Sequence, residues 1–401
     1  MFYFKFLRLA LLAAGFSSAL TGCNSSSLPM LNHSTPEPNK TTPFADWVGV
    51  IGTGQSLSIG LAGSPAISTV QPFNNLKLQD DGPDPRYPLD GSGVLSLVPL
   101  TEPFRPSDLA GWPDDQYPNN LQGETPNAGM ANEITQLWLE NGGTDFVTIH
   151  SVVGWSGRCL RDIDKTNPDR RAYPGSLSEA RTFKRMADAA GKTFAYGAII
   201  VTHGECDAFN ENYEAELRQL GLDYNQDLTS ITGQTTQIPL LISQQSTIPT
   251  ESGGSSVAVW KLGVDYPGEA FCVGPKYQYQ YADDNLHLEA SGYRRLGEKY
   301  AEVFDQVVNQ GLVWKPVQPN GAVLNGNRIT LTFDVPNPPL QWDENINPPH
   351  QSVHTAWANG RGFEVQDSTG ELTIVSAEIL NAEAVVITLD TTPAGTNLMV
   401  R

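Results

Sequence analysis

Residues 47–57 read WVGVIGTGQSL, an apolar run that ends in glycine and is followed by a polar turn containing Ser56. Such a run predicts a buried strand that enters a tight loop. Similar runs recur along the chain, and helix-like segments lie between them. Alternation of strands and helices is typical of a mostly parallel sheet with helices on both faces, so we expect an α/β fold.

The other predicted strands are 146–154 (FVTIHSVVG), 194–204 (FAYGAIIVTHG), 239–246 (PLLISQQS) and 257–263 (VAVWKLG). The predicted helices are 128–141, 177–190, 210–229 and 289–309. Residues 64–125 interrupt this order with many proline, glycine and aspartate residues. We expect that insertion to form loops near the functional site.

The character of the sequence changes after Trp314. Proline-rich connectors introduce three β-branched, partly alternating segments with no helix between them. These segments are 328–336 (RITLTFDVP), 372–380 (LTIVSAEIL) and 384–393 (AVVITLDTTP). The pattern predicts a catalytic domain over 45–314 and a small all-β, sandwich-like module over 315–401.

The first residues do not read as part of the fold. Lys5 and Arg8 precede the apolar run 9–16, and small residues then lead to Cys23. This resembles a bacterial lipoprotein signal, in which the peptide is cut before the cysteine. A plain secretory signal with an incidental cysteine is the alternative. The apolar run is shorter than the roughly 20 residues that cross a bilayer.

The resemblance implies that residues 1–22 are removed, that Cys23 carries the lipid, and that 23–44 form a flexible tether rich in Ser, Asn, Pro and Thr. The expected location is therefore the bacterial cell envelope, with the membrane as a partner through the lipid anchor. Asn24 rather than aspartate follows the cysteine, which in lipoproteins points to the outer membrane.

Charge and cysteine content narrow the possibilities further. The formal net charge of -19 disfavours nucleic acid as a partner, because such binding depends on clustered Lys and Arg. With Cys23 set aside, Cys159, Cys206 and Cys272 remain. In an oxidising compartment one disulfide is possible and one thiol stays unpaired, and the sequence does not choose the pair.

Two polar segments could form a nucleophilic site. Ser56 follows a strand in a glycine-permitted turn, and Asp284 lies three residues before His287 at the start of the last predicted helix. A serine hydroxyl needs an imidazole to take its proton, and the imidazole needs an acceptor that holds its tautomer. His150 and His203 are the other candidates for the base in the catalytic domain. A capping serine and a surface Asp-His pair remain the structural alternatives.

Two further blocks follow strand ends. Residues 154–158 read GWSGR, and their backbone N–H groups could face a developing oxyanion. Residues 203–207 read HGECD, and polar residues at such a position favour a site. A second interpretation makes His203, Glu205 and Asp207 metal ligands, because alternate residues of an extended segment share a face.

The blocks GQSL, GWSG, HGECD and DNLHL, in this order, resemble the SGNH hydrolase superfamily, and more narrowly its sialate O-acetylesterase and acetylxylan esterase branch. The resemblance covers residues 45–311 and implies a flavodoxin-like three-layer α/β/α domain. It implies Ser56 as nucleophile, His287 as base and Asp284 as the residue that orients the base.

The resemblance also assigns the remaining site residues. The oxyanion hole would use the N–H of Ser56, a glycine of the second block (Gly154 or Gly157), and His203, which stands where the branch usually has glutamine. The substrate contacts would come from the residues Gln55, Arg158, Glu205 and Asp207. Cys206 occupies the position of the wider superfamily's asparagine, so the side-chain part of the hole departs from the pattern.

These observations together predict a serine carbohydrate esterase that removes acetyl or similar short acyl groups. The expected partner is an acylated carbohydrate, no cofactor or resident metal is expected, and the oligomeric state stays open. Two alternatives are a non-catalytic glycan-binding lipoprotein and a metal-dependent hydrolase that uses residues 203–207.

Overall fold

The computed structural model describes residues 42–78, 96–104, 123–167, 172–248, 254–344 and 357–400. Contacts within the chain divide these residues into two compact units. The first unit contains the described residues up to Gln318 together with 334–344, and the second contains Pro319–Phe333 and 357–400. Cys23, which we predict to be lipidated, and residues 1–22, which we predict to be a cleaved signal, lie outside the described residues.

A seven-stranded sheet forms the centre of the first unit. Its strands are β1 (Trp47–Gly54), β2 (Leu76–Leu78), β3 (Leu97–Pro99), β4 (Thr148–Val152), β5 (Phe194–Thr202), β6 (Leu240–Gln244) and β7 (Ala270–Pro275). Their order in space is β3-β2-β4-β1-β5-β6-β7, and every neighbouring pair is parallel except β2 with β3. The five longest strands follow the flavodoxin-like order 2-1-3-4-5, which confirms the predicted α/β fold.

Helices cover both faces of this sheet. They are α1 (Pro126–Glu140), α2 (Leu160–Ile163), α3 (Ala172–Ala189), α4 (Tyr213–Thr232), α5 (Gly254–Asp265) and α6 (Ala290–Phe304), the last followed by a π-helical turn (Asp305–Asn309). Successive residues of β1 face opposite ways: Val50 packs with α1 and α6, and Ile51 packs with α3, α4 and α5. In the described part of the chain, none of the helices has the length and apolar character needed to span a membrane.

One predicted strand was wrong. Residues 257–263 were expected to be a strand because they form a short apolar run that ends in glycine, but they lie in α5. The last strand of the sheet is instead β7, with the sequence AFCVGP, which the prediction missed. Because β6 and β7 are parallel, the chain between them must cross a face of the sheet, and a helix that buries Val257, Val259 and Leu262 meets that need.

Helix α6, which follows the segment with Asp284 and His287, packs closely on α1. Its Gly297 lies against the backbone of Pro126, and Gly129 of α1 lies against the backbone of Arg294. A Cβ atom at either glycine would overlap these neighbours. The close packing fixes the start of α6, and so the chain just before it, against the sheet.

The second unit is antiparallel, as predicted for an all-β module. One four-stranded sheet has the order β12-β13-β9-β8 and one three-stranded sheet has the order β11-β10-β14. The strands are β8 (Gln318–Asn325), β9 (Arg328–Asp334), β10 (Val365–Asp367), β11 (Gly370–Leu372), β12 (Ile374–Asn381), β13 (Ala384–Leu389) and β14 (Met399–Val400). The prediction of no helix missed one short turn of helix, α7 (Trp357–Gly360).

Candidate active site

The candidate nucleophile lies in a tight turn at the carboxyl end of β1. Gly54 has a φ of +140°, and a Cβ atom there would overlap the carbonyl of Thr202 in β5. Only glycine therefore lets the chain turn this close to its neighbour. Residues Ser56–Ser58 form one 3-10 turn, whose last hydroxyl donates to the carbonyl of Gln55 at 2.6 Å. This turn buries Ser56 at the edge where open α/β sheets build their sites.

The second part of the site is a short hairpin at 281–288, directly before α6. Asn285 has a φ of +55°, a conformation that asparagine tolerates better than most residues. Oδ1 of Asp284 accepts the backbone N–H groups of Leu286 and His287, both at 2.9 Å. The carboxylate thus fixes the turn of the hairpin, and this places the two side chains side by side.

The structure brings Asp284, His287 and Ser56 into one chain of hydrogen bonds. Nδ1 of His287 lies 2.6 Å from Oδ2 of Asp284, and Nε2 lies 2.8 Å from Oγ of Ser56. A carboxylate only accepts hydrogen bonds, so Nδ1 carries the proton and Nε2 is the acceptor for the serine hydroxyl. This is the tautomer that a general base requires.

The charge of Asp284 is held by the same contacts. Partial burial works to raise the pKa of its carboxyl group. The hydrogen bonds from the ring and backbone of His287 and from the backbone of Leu286 outweigh that effect and lower the pKa from 3.8 to about 2. The carboxylate therefore stays ionised beside the imidazole near neutral pH.

The second block, residues 154–158, lies next to the turn of residues 54–58 that contains Ser56, which we call the nucleophile turn. Gly154 packs so closely on this turn that a Cβ atom would overlap Oγ of Ser58. Gly157 has a φ of +66° and open space beside its Cα. Within the described ranges, no acceptor is bonded to the backbone N–H of Ser56, Gly154 or Gly157. In the described part of the chain, all three N–H groups are therefore unused donors.

His203 departs from the expectation of an oxyanion donor. Its Nε2 lies 3.0 Å from the carbonyl oxygen of Arg158, and its Nδ1 lies 2.9 Å from the hydroxyl of Tyr213. Because a carbonyl can only accept, Nε2 carries the proton and Nδ1 accepts from the tyrosine. Burial lowers the pKa of His203, which keeps the ring neutral. Both ring nitrogens are thus used, and none remains for an oxyanion.

Glu205 and Asp207 also differ from their expected role as substrate contacts. Glu205 forms a buried ion pair with Lys276, with Oε1 and Nζ 2.6 Å apart. Asp207 accepts the N–H of Leu160 at 2.7 Å and the side-chain amide of Asn210 at 3.1 Å. Lys276 follows the strand that the sequence reading missed, so nothing in the sequence pointed to it. Both carboxylates thus make contacts that join one loop to another.

The metal interpretation of residues 203–207 loses its support for the same reason. Each of its three proposed ligands is already engaged by another protein group. Across the residues the structure describes, no group of three or more His, Cys, Asp or Glu side chains is arranged to hold a metal ion.

Two expected substrate contacts lie beside the site. The carbonyl oxygen of the Gln55 side chain accepts the N–H of Cys206 at 3.1 Å, which ties it to the third block. The guanidinium carbon of Arg158 lies 5.3 Å from the ring centroid of Trp155, a cation-π contact. Arg158 thus carries its charge on the loop that follows the second block, where it remains a candidate for contact with substrate.

The third histidine considered as a base is remote from this chemistry. His150 is buried within β4, where its Nδ1 lies 3.1 Å from Oδ1 of Asn127 and its Nε2 lies 3.1 Å from Oγ1 of Thr148. Burial lowers its pKa from 6.5 to about 3. It is a neutral core residue.

The structure also resolves the choice among the cysteines that the sequence left open. Cys159 and Cys206 form a disulfide between the loops after β4 and β5. Cys272 is unpaired and buried in β7, and this burial raises the pKa of its thiol to about 12. The thiol is therefore inert near neutral pH.

A surface cavity of about 320 Å³ lies where the parallel strands begin, at the opposite end of the strands from Ser56. Its lining residues are Trp47, Phe73, Asn74, Asn75, Leu76, Pro99 and Val147. Trp47 begins β1 and Leu76 begins β2, whereas the candidate catalytic residues lie where the strands end. The cavity is therefore separate from the hydrogen-bonded triad.

Comparison with known proteins gives a likeness of fold. No protein-family model matches this chain, and no curated protein matches it either. Among solved structures, a carbohydrate acetylesterase from Xanthomonas citri matches with a TM-score of 0.50 at 14% identity, over 88% of this chain and 78% of the other. A protein from Arabidopsis thaliana matches with a TM-score of 0.44 at 15% identity, over 65% of this chain and 98% of the other. NanS matches with a TM-score of 0.39 at 12% identity, over 65% of this chain and 97% of the other.

The fold of the Xanthomonas protein is thus shared by this chain, including its mostly parallel sheet. Shared fold does not by itself assign an activity, because one fold carries many functions. The activity has to be argued from the side chains of the site.

Proposed function

We propose that this protein is a serine esterase that removes acetyl or similar short acyl groups from O-acylated carbohydrates. The observation that supports the proposal is the continuous hydrogen-bonded chain from Asp284 through His287 to Ser56. A serine hydroxyl that donates to an imidazole nitrogen, with a carboxylate bonded to the other side of the ring, is the arrangement that activates a serine for attack on a carbonyl.

The proposed reaction has two steps. His287 takes the proton of Ser56 as Oγ attacks the ester carbonyl, and the same proton then passes to the departing sugar hydroxyl. The C–O bond to the sugar breaks, and an acyl group remains on Ser56. Water next attacks this acyl-enzyme, with His287 again as base, and releases the acid and the free serine.

The negative charge on the attacked oxygen would be stabilised by backbone N–H groups. The donors we propose are those of Ser56 and Gly154, because the second block packs directly on the nucleophile turn. Gly157 is the alternative partner, since its N–H is also free. His203 is not included, because both of its nitrogens are engaged.

The choice of an acylated carbohydrate draws on the sequence blocks and on the name of the solved acetylesterase that shares the fold. We also keep the proposal that Cys23 is lipidated and holds the protein in the outer membrane. That part rests on the sequence of residues 1–24 alone. Radiolabelled palmitate incorporated into the wild type and absent from Cys23→Ala would support it, and equal labelling of both would overturn it.

The activity is tested by hydrolysis of 4-nitrophenyl acetate, followed by a screen of acetylated xylan, acetylated monosaccharides and O-acetyl sialic acid. The wild type should hydrolyse the small ester, and Ser56→Ala should lose at least about a thousandfold in kcat. Ser230→Ala, at an exposed position of α4, is the matched control and should keep full activity. An inactive wild type would favour the non-catalytic glycan-binding alternative.

A further inference from the structure

The nucleophile turn lies between two loops that the protein links to each other. Strand β1 sits between β4 and β5 in the sheet, so the second block, after β4, and the third block, after β5, flank Ser56 on either side. The disulfide between Cys159 and Cys206 joins these two loops over 47 positions of sequence.

Two hydrogen bonds run beside the disulfide, one partly buried and one buried. His203 donates to the carbonyl of Arg158, the residue just before Cys159. Asp207, the residue just after Cys206, accepts the N–H of Leu160. Three consecutive residues of one loop, 158–160, are therefore each held by the other loop.

The linked loops are also tied to the nucleophile turn. The N–H of Cys206 donates to the side chain of Gln55, next to Ser56, at 3.1 Å. On the other side, the N–H of Trp155 donates to the carbonyl of Gly54 at 2.9 Å. The second-block loop is thus anchored near its start by β1 and at its end by the third block. Between these anchors lies Gly157, which has no neighbour within 4 Å of the position of a Cβ.

We propose that the Cys159–Cys206 disulfide is a positioning element of the active site, holding the stretch around Gly157, the alternative donor of the second block, so that its backbone N–H can serve the oxyanion beside that of Ser56. This inference rests on the proposed esterase function. A Cβ at Gly157 would have no neighbour within 4 Å, so side-chain packing does not fix the loop at this residue. Without the covalent anchor, the loop gains freedom and its N–H groups leave the position that the transition state needs.

The disulfide is open to solvent, whereas the side chains that form the hydrogen bonds beside it are buried. Cys206 is exposed and Cys159 is half-buried, while His203 and Asp207 are both buried. A dissolved dithiol can therefore reach the bond in the folded protein. Reduction breaks the S–S bond and leaves two thiols, and dithiothreitol supplies the two electrons and two protons and becomes its own cyclic disulfide.

The test compares the full-length wild type, Cys159→Ala/Cys206→Ala and the control Cys272→Ala on 4-nitrophenyl acetate, each with and without dithiothreitol. We expect reduction to lower kcat of the wild type by about tenfold or more, with a smaller change in KM, because oxyanion donors act in the transition state. Reoxidation should restore it. The double variant should have the low kcat even without reductant, and dithiothreitol should not change it. Cys272→Ala should behave as the wild type.

The outcomes separate the two proposals. An oxidised wild type that hydrolyses no ester would overturn the esterase function and this inference with it. If the wild type is active, the double variant has the same kcat and KM, and dithiothreitol changes neither protein, only the inference about the disulfide would be overturned. If the double variant does not fold, the reduced wild type decides alone, with circular dichroism recorded in parallel. Loss of activity together with loss of the folded spectrum would make the disulfide a stabiliser of the fold and contradict a positioning role.

Discussion

Nε2 of His287 lies 2.8 Å from Oγ of Ser56, although the two residues are 231 positions apart in the chain. They meet because β1 ends in the nucleophile turn and the hairpin at 281–288 returns to the same edge of the sheet before α6 begins. The account of this protein as an esterase depends on that contact, and most of the following predictions concern the residues that surround it.

Removing the carboxylate of Asp284 should lower activity without loss of the fold. Asp284→Asn removes the negative charge and can present an amide N–H to Nδ1, which favours the wrong tautomer of the ring. We expect kcat for 4-nitrophenyl acetate to fall by at least about a hundredfold. Asp283→Asn, one position earlier, is the matched control and should be close to the wild type. Equal activity in both variants would contradict the assigned role.

The same carboxylate should give a pH-dependent contribution to stability. Its pKa is lowered in the folded protein from 3.8 to about 2, so ionised Asp284 favours the folded state above about pH 4, and this contribution is lost as the pH falls from 4 to 2. The effect should be modest, because nearly half of the side chain is exposed. Urea unfolding of the wild type and Asp284→Asn should differ at pH 6 and converge near pH 2. A difference in unfolding free energy that stays the same from pH 6 to pH 2 would contradict this contribution of Asp284.

Buried His150 should make the protein less stable in mild acid. Its pKa is about 3 when folded and 6.5 as a free side chain, so the unfolded state binds the extra proton between these values. Stability is therefore full above pH 6.5 and falls below it, by up to about 1.4 kcal/mol per pH unit. Urea unfolding between pH 7.5 and 4.5 measures this slope, and His150→Gln should reduce it. An unchanged slope in that variant would assign the acid sensitivity elsewhere.

The buried pair of Glu205 and Lys276 should behave as a unit. Lys276→Met leaves a carboxylate buried without its partner and should cost about 3–5 kcal/mol of unfolding free energy. The double variant Lys276→Met/Glu205→Gln should cost less than the single variant, since no buried charge is left. Chemical unfolding of the four proteins in a double-mutant cycle gives the coupling energy. Additive losses would mean that the two charges do not interact.

His203 should act on the loop that it holds and not on the oxyanion. His203→Ala leaves the carbonyl of Arg158 and the hydroxyl of Tyr213 without their buried partner, at a cost of about 1–3 kcal/mol each. We expect a lower melting temperature and a moderate loss of kcat, with His203→Gln closer to the wild type because its amide can still donate. A variant that keeps full stability and loses activity as strongly as Ser56→Ala would restore a direct catalytic role.

The sequence was most informative where chemistry depends on a few residues at strand ends. The contact among Ser56, Asp284 and His287 could be predicted because each lies in a short block next to a predicted strand or helix. The structure shows how Asp284 and His287 are fixed. The Asp284 carboxylate accepts hydrogen bonds from the backbone N–H groups of Leu286 and His287. Local sequence encodes such a turn, which explains why this part could be read without coordinates.

The sequence-based predictions failed where contacts between distant parts of the chain determine the local structure. Residues 257–263 have the composition of a strand, but the parallel pairing of β6 with β7 requires a helix there. Once β7 was missed, Lys276 at its end was missed too, and Glu205 then looked like a free carboxylate. The disulfide could not be chosen because its pairing depends on β1 lying between β4 and β5, which only the sheet order reveals.

The most direct test of the central claim is covalent labelling of the nucleophile. The full-length protein is treated with a fluorophosphonate and digested, and the modified peptide is identified by mass spectrometry. The account predicts one adduct, on Ser56, formed at a rate that falls at least about a hundredfold in His287→Ala, because the imidazole removes the serine proton. An adduct on another residue, or full esterase activity with Ser56 unmodified, would contradict it.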